Sequence, residues 1–262
     1  MKFVQKNLGE AAEVSSGGGD RGIAKEVVAL IALSIVALTV IYFAVFAVTE
    51  LVVKRLSPEQ EHELFSVSGS FENSGEVPDS LKAKFELCEE VLDKLKVHED
   101  VPKIEYKLIF FDELAPNAFA IPGGQIAVTR GLLNSLDEEI SIAFVLAHEL
   151  GHFVQRDHLR GLGQNLGFGI CLQILFGGEV DLLTQGAANS VTAKYSRGQE
   201  SGADDFGVQC VLAIYGETKG AEALFEVLEE KNTLPAWAYM FSTHPDNQTR
   251  IRRILEAKAG KK

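Results

Sequence analysis

The stretch His148-Glu149-Leu150-Gly151-His152 decides how this chain folds and what chemistry it can carry. It spells the pattern H-E-x-x-H. Residues four apart on an α-helix share one face, so both imidazoles can reach one Zn²⁺ ion at about 2.0–2.1 Å. Glu149 lies beside that face, where a carboxylate can take a proton from an attacking water molecule. The stretch therefore predicts a helix that carries two zinc ligands and a general base.

A catalytic zinc site takes three protein ligands and leaves one position open, so a third ligand must come from elsewhere. Glu200 is the candidate. It lies on a second predicted helix among small residues that would let the two helices approach closely: Gly198, Ser201, Gly202 and Ala203. Asp204, one turn further on, could accept a hydrogen bond from the far nitrogen of a ligating histidine and fix its tautomer. A purely structural zinc site is disfavoured, because such sites are usually rich in cysteine.

Hydrophobic spacing predicts the elements around this site. Leu81 to Lys96 has the pattern of an amphipathic helix, and Lys103 to Phe111 that of a strand. Two short strands, 117–121 and 125–129, flank a Pro-Gly-Gly turn at 122–124. Ser135 to Glu138 matches a capping box, which predicts that the helix of H-E-x-x-H begins there.

An apolar run of 22 residues without a charge, Val27–Val48, predicts a membrane anchor. At 1.5 Å per residue it can cross a hydrocarbon core of about 30 Å. A cleaved signal peptide is the rival interpretation, but its apolar region is usually about 7–15 residues long. The segment 161–178 is also uncharged, and its six glycines favour a buried helix or hairpin over a second span.

The positive charges on the two sides of the apolar run are equal in number, so they do not fix the orientation of the helix in the membrane. Arg21 and Lys25 precede the run, while Lys54 and Arg55 follow it. Lys2 and Lys6 weakly favour a cytoplasmic N-terminus, which would place the large domain on the non-cytoplasmic side. The sequence thus divides into a disordered tail (1–22), an anchor (23–56), a linker (57–80) and a catalytic domain (81–262).

The composition of the chain narrows the classes of molecule that it could bind. The net charge of −12 argues against nucleic acid, because phosphate binding needs a basic face. Residues 1–56 carry six basic and five acidic groups, so the excess of negative charge lies in the large domain. The three cysteines, at positions 88, 171 and 210, are far apart and flanked by apolar residues, which predicts buried free thiols.

Several segments together resemble the zinc metallopeptidase family M48, which includes HtpX, BepA and the CaaX prenyl protease. They are H-E-x-x-H, Ser196-Arg197-x-x-Glu200-x-x-Ala203-Asp204, Asn117 to Ala120 with the Pro-Gly-Gly turn, and Thr243-His244-Pro245 with Arg250. They run in collinear order over about residues 80–255. The chain departs from HtpX-like members, which have several spans, and from BepA-like members, which carry a helical repeat domain.

The resemblance implies a mostly helical α+β domain of zincin-like (gluzincin) type with a small β-sheet, behind one transmembrane helix. It implies that His148, His152 and Glu200 bind one Zn²⁺ and that Glu149 is the general base. His244 would donate to the oxyanion of the transition state, with Arg250 a weaker candidate for the site. A substrate peptide would pair with the strand made of Asn117, Ala118, Phe119 and Ala120.

The expected activity is zinc-dependent hydrolysis of peptide bonds in proteins, in the quality control of membrane or envelope proteins. An alternative is a catalytically idle, zinc-bound chaperone or scaffold on the membrane. The presence of Glu149 favours the enzyme, because a scaffold has no use for a general base.

Overall fold

The computed structural model describes residues 19–67, 75–176 and 195–221. The chain divides into two compact units, residues 1–44 and 45–262. The side chain of Cys171 lies outside what is described, as do His244 and Arg250.

The first helix, α1, runs over Gly19–Arg55. Among the described residues it is the one helix long and apolar enough to cross a membrane. Many of its exposed side chains are large and hydrophobic, as lipid contact would require. The helix begins four residues inside the segment that the sequence assigned to a disordered tail.

In the residues that the structure describes, the second unit is mostly helical and contains one small sheet. Its helices are α2 (Pro58–Val67), α3 (Lys82–Leu95), α4 (Arg130–Ser135), α5 (Glu139–Gln155), α6 (Asp157–Phe176) and α7 (Arg197–Tyr215), with a single 3-10 turn before α3. Its strands are β1 (Lys107–Phe111), β2 (Ala118–Ile121) and β3 (Gln125–Thr129). The predicted fold class, mostly helical with a small sheet and one N-terminal apolar helix, is confirmed.

The sheet has the order β1-β3-β2. β2 and β3 form the predicted antiparallel hairpin, whereas β1 pairs with β3 in parallel. β1 starts four residues later than predicted. The amide of Ile104 donates to the carbonyl of Pro102, and this tight turn keeps the preceding residues out of the sheet.

Helix α5 lies in the middle of the core, against α3, α7 and β2. All its residues from Ser141 to Phe153 are buried, so the H-E-x-x-H segment is shielded from bulk water. Cys88 and Cys210 are buried free thiols, as predicted, and burial raises the pKa of each to about 12.

The predicted capping box before α5 is wrong. Helix α5 begins at Glu139, and its N-cap residue Glu138 makes no capping hydrogen bond through its side chain. Ser135 belongs to α4 instead, where its hydroxyl donates to the carbonyl of Gly131 one turn earlier. The sequence does contain a capping box, but it lies at Ser196 and Gln199 and starts α7.

The uncharged segment from Gly161 forms part of one continuous helix, α6, rather than a hairpin within residues 157–176. Two of its glycines allow close contact with the end of α1: a Cβ atom at Gly163 would meet Thr49, and one at Gly167 would lie 3.0 Å from Val45. Arg160 Nε donates to Glu50 at 2.7 Å. The last turns of α1 therefore pack as part of the second unit.

Candidate active site

Three potential metal ligands converge where α5 meets α7. One donor atom from each of His148, His152 and Glu200 lies within 4.8 Å of the other two, and all three residues are buried. The two Nε2 atoms are 3.2 Å apart, and each is 3.7 Å from an oxygen of Glu200. Ligands of a tetrahedral zinc ion at about 2.0–2.1 Å are themselves roughly 3.3 Å apart. The spacing of these donors therefore fits zinc.

Close packing of α5 on α7 makes this convergence possible. A Cβ atom on Gly151 would lie 2.9 Å from the Cα atom of Ala203, so only glycine fits here. Gly207 has the same role one turn further along, beside Phe144 and the amide of His148. The expectation that small residues on α7 allow close approach is correct for Ala203, and the matching small residue on α5 is Gly151.

Each histidine of the pair is oriented by a buried carboxylate. His148 Nδ1 lies 3.0 Å from Asp204, and His152 Nδ1 lies 3.1 Å from Asp157. Because carboxylates only accept, both Nδ1 atoms donate. In neutral imidazoles this arrangement leaves both Nε2 atoms available to bind a metal ion.

Asp157 was missed in the sequence. It directly follows Arg156, which ends α5 in the left-handed conformation with φ of 61°, so the chain turns back and starts α6 at once. Gln199 donates to the other oxygen of Asp157 at 2.8 Å, which ties the site to α7. A non-glycine residue in this conformation leaves no reliable signal in a sequence.

Tyr195 was also missed. Its ring stacks on that of His152, with centroids 3.8 Å apart. Burial raises the pKa of Tyr195 well above its usual range, and the carboxylates of Glu149, Asp157 and Glu200 raise it further. The phenol therefore stays neutral, and its ring packs flat against the imidazole of His152, a proposed ligand.

Substituting Asp157 tests its role. We expect Asp157→Asn to weaken zinc binding about 10- to 100-fold, because a neutral amide is a poorer acceptor for His152 Nδ1–H. Competition with a chromophoric chelator measures this affinity. Asp205→Asn, at an exposed position on α7, is the control and should bind zinc normally. Unchanged affinity in Asp157→Asn would mean that the aspartate does not support His152.

The structure thus brings together His148, His152, Glu200 and Asp204, and Glu149 is buried on the helix of the two histidines, α5. Ala118, Phe119 and Ala120 lie in β2, an outer strand of the sheet, and Asn117 directly precedes it.

Comparison with known proteins agrees with this geometry. The sequence profile of peptidase family M48 matches residues 82–258. The chain is 30% identical over 155 residues to the mitochondrial metalloendopeptidase OMA1 of Arabidopsis thaliana, covering 59% of this chain and 32% of that protein. It is 29% identical over 171 residues to OMA1 of Schizosaccharomyces pombe (63% and 50%), and 27% identical over 203 residues to an HtpX homologue of Salinibacter ruber (64% and 72%).

The chain thus spans between a third and a half of the length of these OMA1 relatives. The profile match covers most of the second unit and contains the complete cluster of His148, His152 and Glu200. On that match, this chain belongs to peptidase family M48.

Proposed function

We propose that this protein is a membrane-anchored zinc endopeptidase that hydrolyses peptide bonds in protein substrates. The observation that carries the proposal is the buried convergence of His148, His152 and Glu200 within 4.8 Å, with Glu149 on the same helix as the two histidines. Relatives named as metalloendopeptidases and proteases support the same activity.

In this proposal the two histidines and Glu200 hold one Zn²⁺, with Asp204 and Asp157 orienting the imidazoles. A bound zinc ion supplies Lewis-acid chemistry, which polarises the scissile carbonyl group and acidifies the attacking water. Glu149, only 1% exposed, takes the proton of that water and delivers it to the leaving amine.

Strand β2 would hold the substrate in extended form. The amide of Thr129 donates to the carbonyl of Asn117, so these two residues form a hydrogen-bonded pair of the antiparallel ladder. Such pairs alternate with pairs that direct their polar groups away from the partner strand. The main-chain groups of Ala118 and Ala120 therefore point to the outer edge of β2. Those two residues would pair with a peptide, while Asn117 is engaged by Thr129.

Main-chain pairing reads little side-chain sequence, which suits an enzyme that degrades misfolded membrane or envelope proteins.

The apolar helix α1 supports a single-pass anchor in the lipid bilayer. Lys2 and Lys6 only weakly favour a cytoplasmic N-terminus, which would place the catalytic domain on the non-cytoplasmic side. The predicted linker, 57–80, contains α2, and its buried Glu61 belongs to the second unit.

Hydrolysis of casein by the purified full-length protein tests the activity directly. We expect cleavage that stops with a zinc chelator and returns when zinc is restored. A protein that binds one zinc per chain, yet leaves casein intact under all conditions, would support the idle scaffold instead.

Removal of residues 1–56 tests the anchor. The shortened chain should leave the membrane fraction and still cleave casein, because the proposed ligands all lie beyond α1. It should melt at a lower temperature than the full chain, since it lacks Glu50, the partner of Arg160, and the buried Val53. A folded but inactive product would show that the membrane segment contributes to the active site.

His244 lies outside the described residues, so its role rests on the family resemblance. We propose that its ring donates to the oxyanion of the transition state. His244→Phe should then retain zinc and lower kcat by roughly 10²- to 10³-fold, with little change in KM. An unchanged kcat would leave His244 a surface residue, and loss of zinc would make it a ligand. Arg250→Ala should have a smaller effect.

A further inference from the structure

Glu61 is a buried carboxylate outside the proposed metal site. It lies in the first turns of α2, six residues after α1 ends, and is 2% exposed. Burying a carboxylate is costly unless strong partners compensate for the lost water. The partners of Glu61 come from two distant parts of the chain.

One oxygen of Glu61 lies 2.6 Å from His158 Nε2 and also accepts a hydrogen bond from the amide of Gly123 at 3.2 Å. The other oxygen lies 3.1 Å from the guanidinium of Arg156. Burial by itself would raise the pKa of Glu61, but the hydrogen bond and charge of His158, with Gly123 and Arg156, lower it on balance. Glu61 therefore remains ionised at neutral pH.

The first of these contacts leads to the end of the active-site helix. His158 Nδ1 lies 3.2 Å from the main-chain carbonyl oxygen of His152, the second proposed zinc ligand. The side chain of His158 is buried, and its ring contacts that of Phe153 at a tilt of 48°, with ring centroids 4.5 Å apart. Glu61 thus fixes the ring that supports the last turn of α5.

The second contact leads to the proposed substrate strand. Gly123 lies in the turn that follows β2, with φ of +92°, and a Cβ atom there would lie 2.8 Å from Phe65 of α2. His62 Nδ1 lies 2.8 Å from the carbonyl oxygen of Gly123. Helix α2 therefore holds both main-chain polar groups of Gly123.

We propose that Glu61 is a positioning residue that sets the spacing between the outer edge of β2 and the ligand end of α5. The inference rests on the proposed function, in which β2 holds the peptide and His152 holds the metal. A misplacement of about 1 Å between a substrate and catalytic groups can cost around 10²-fold in rate. Glu61 bonds the turn that follows β2 and, through His158, supports the last turn of α5, which limits such movement.

The experiment uses the full chain in detergent and compares Glu61→Ala with Glu61→Gln. The amide oxygen of glutamine still accepts from Gly123 and His158, whereas alanine offers no acceptor. Glu59→Gln, two residues earlier on the exposed face of α2, is the matched control. Peptide affinity is measured by fluorescence anisotropy with a labelled casein peptide in a Glu149→Gln background, and KM and kcat in the active background.

We expect Glu61→Ala to raise both KM and the peptide Kd about tenfold and to lower kcat by roughly 10- to 10²-fold, with zinc content unchanged. Glu61→Gln should bind peptide nearly as well as the parent, and Glu59→Gln should match it. If Glu61→Ala does not fold, His62→Ala, at a half-buried position, loosens the same turn and should raise Kd by a few-fold.

Equal loss of affinity in the alanine and glutamine variants would overturn the proposal, as would a fall in Tm with Kd and KM unchanged. A parent protein that binds the peptide but never hydrolyses it would refute the proposed function. The Kd comparison would still decide the role of Glu61.

Discussion

Replacing Glu200 with alanine should remove zinc and peptidase activity together. Its carboxylate is the donor that α7 would contribute; one oxygen lies 3.7 Å from His148 Nε2 and the other 3.7 Å from His152 Nε2. Without it, two histidines remain, one fewer than catalytic zinc sites use. Metal analysis of the purified protein and a casein assay measure the two losses, and activity should fall to background.

Asp205→Ala is the control for Glu200→Ala, because it removes an exposed acid from the same helix and should keep one zinc per chain. His148→Ala and His152→Ala should behave like Glu200→Ala. Full zinc content in the Glu200→Ala protein would refute the ligand assignment and require a third donor from another segment.

Replacing Glu149 with glutamine should separate binding from turnover. Glutamine has nearly the same shape, so the buried position tolerates it, but its amide cannot accept a proton. We expect one zinc per chain and a loss in kcat of roughly 10²- to 10⁴-fold. Metal analysis and steady-state kinetics on a fluorogenic peptide measure the two properties.

Glu139→Gln, in the first turn of the same helix and paired with Lys94, should retain kcat within a small factor. A Glu149→Gln protein with normal turnover would assign the base to another residue. Loss of zinc from that protein would instead give Glu149 a part in holding the metal.

The helix of H-E-x-x-H could be predicted because its signal is local. The spacing of two histidines fixes their relative position on any α-helix, whatever the rest of the chain does. Glu200 lies 48 residues beyond His152, and its identification depended on the resemblance and on the small residues around it. In the structure, the close packing of Gly151 against Ala203 lets Glu200 lie beside the two histidines.

Other features were beyond the reach of sequence patterns. The start of α5 was misplaced because Ser135 to Glu138 satisfies the capping-box pattern while Ser135 bonds within α4. The position of Asp157 depends on the left-handed conformation of Arg156. The role proposed for Glu61 depends on its contact with His158, 97 positions later in the chain. Such long-range polar contacts leave no periodicity to detect.

The ion pair between Glu50 and Arg160 bears on which bonds the enzyme could reach. Glu50 lies two residues beyond the apolar run, and Arg160 lies three residues beyond Asp157, the partner of His152. At about 1.5 Å per helical residue, these are steps of only a few ångströms. If the run crosses the bilayer as proposed, the proposed catalytic centre would stay at a fixed, short distance from the membrane surface. In a membrane-bound substrate, the distance of a peptide bond from the lipid would then decide whether it is cleaved.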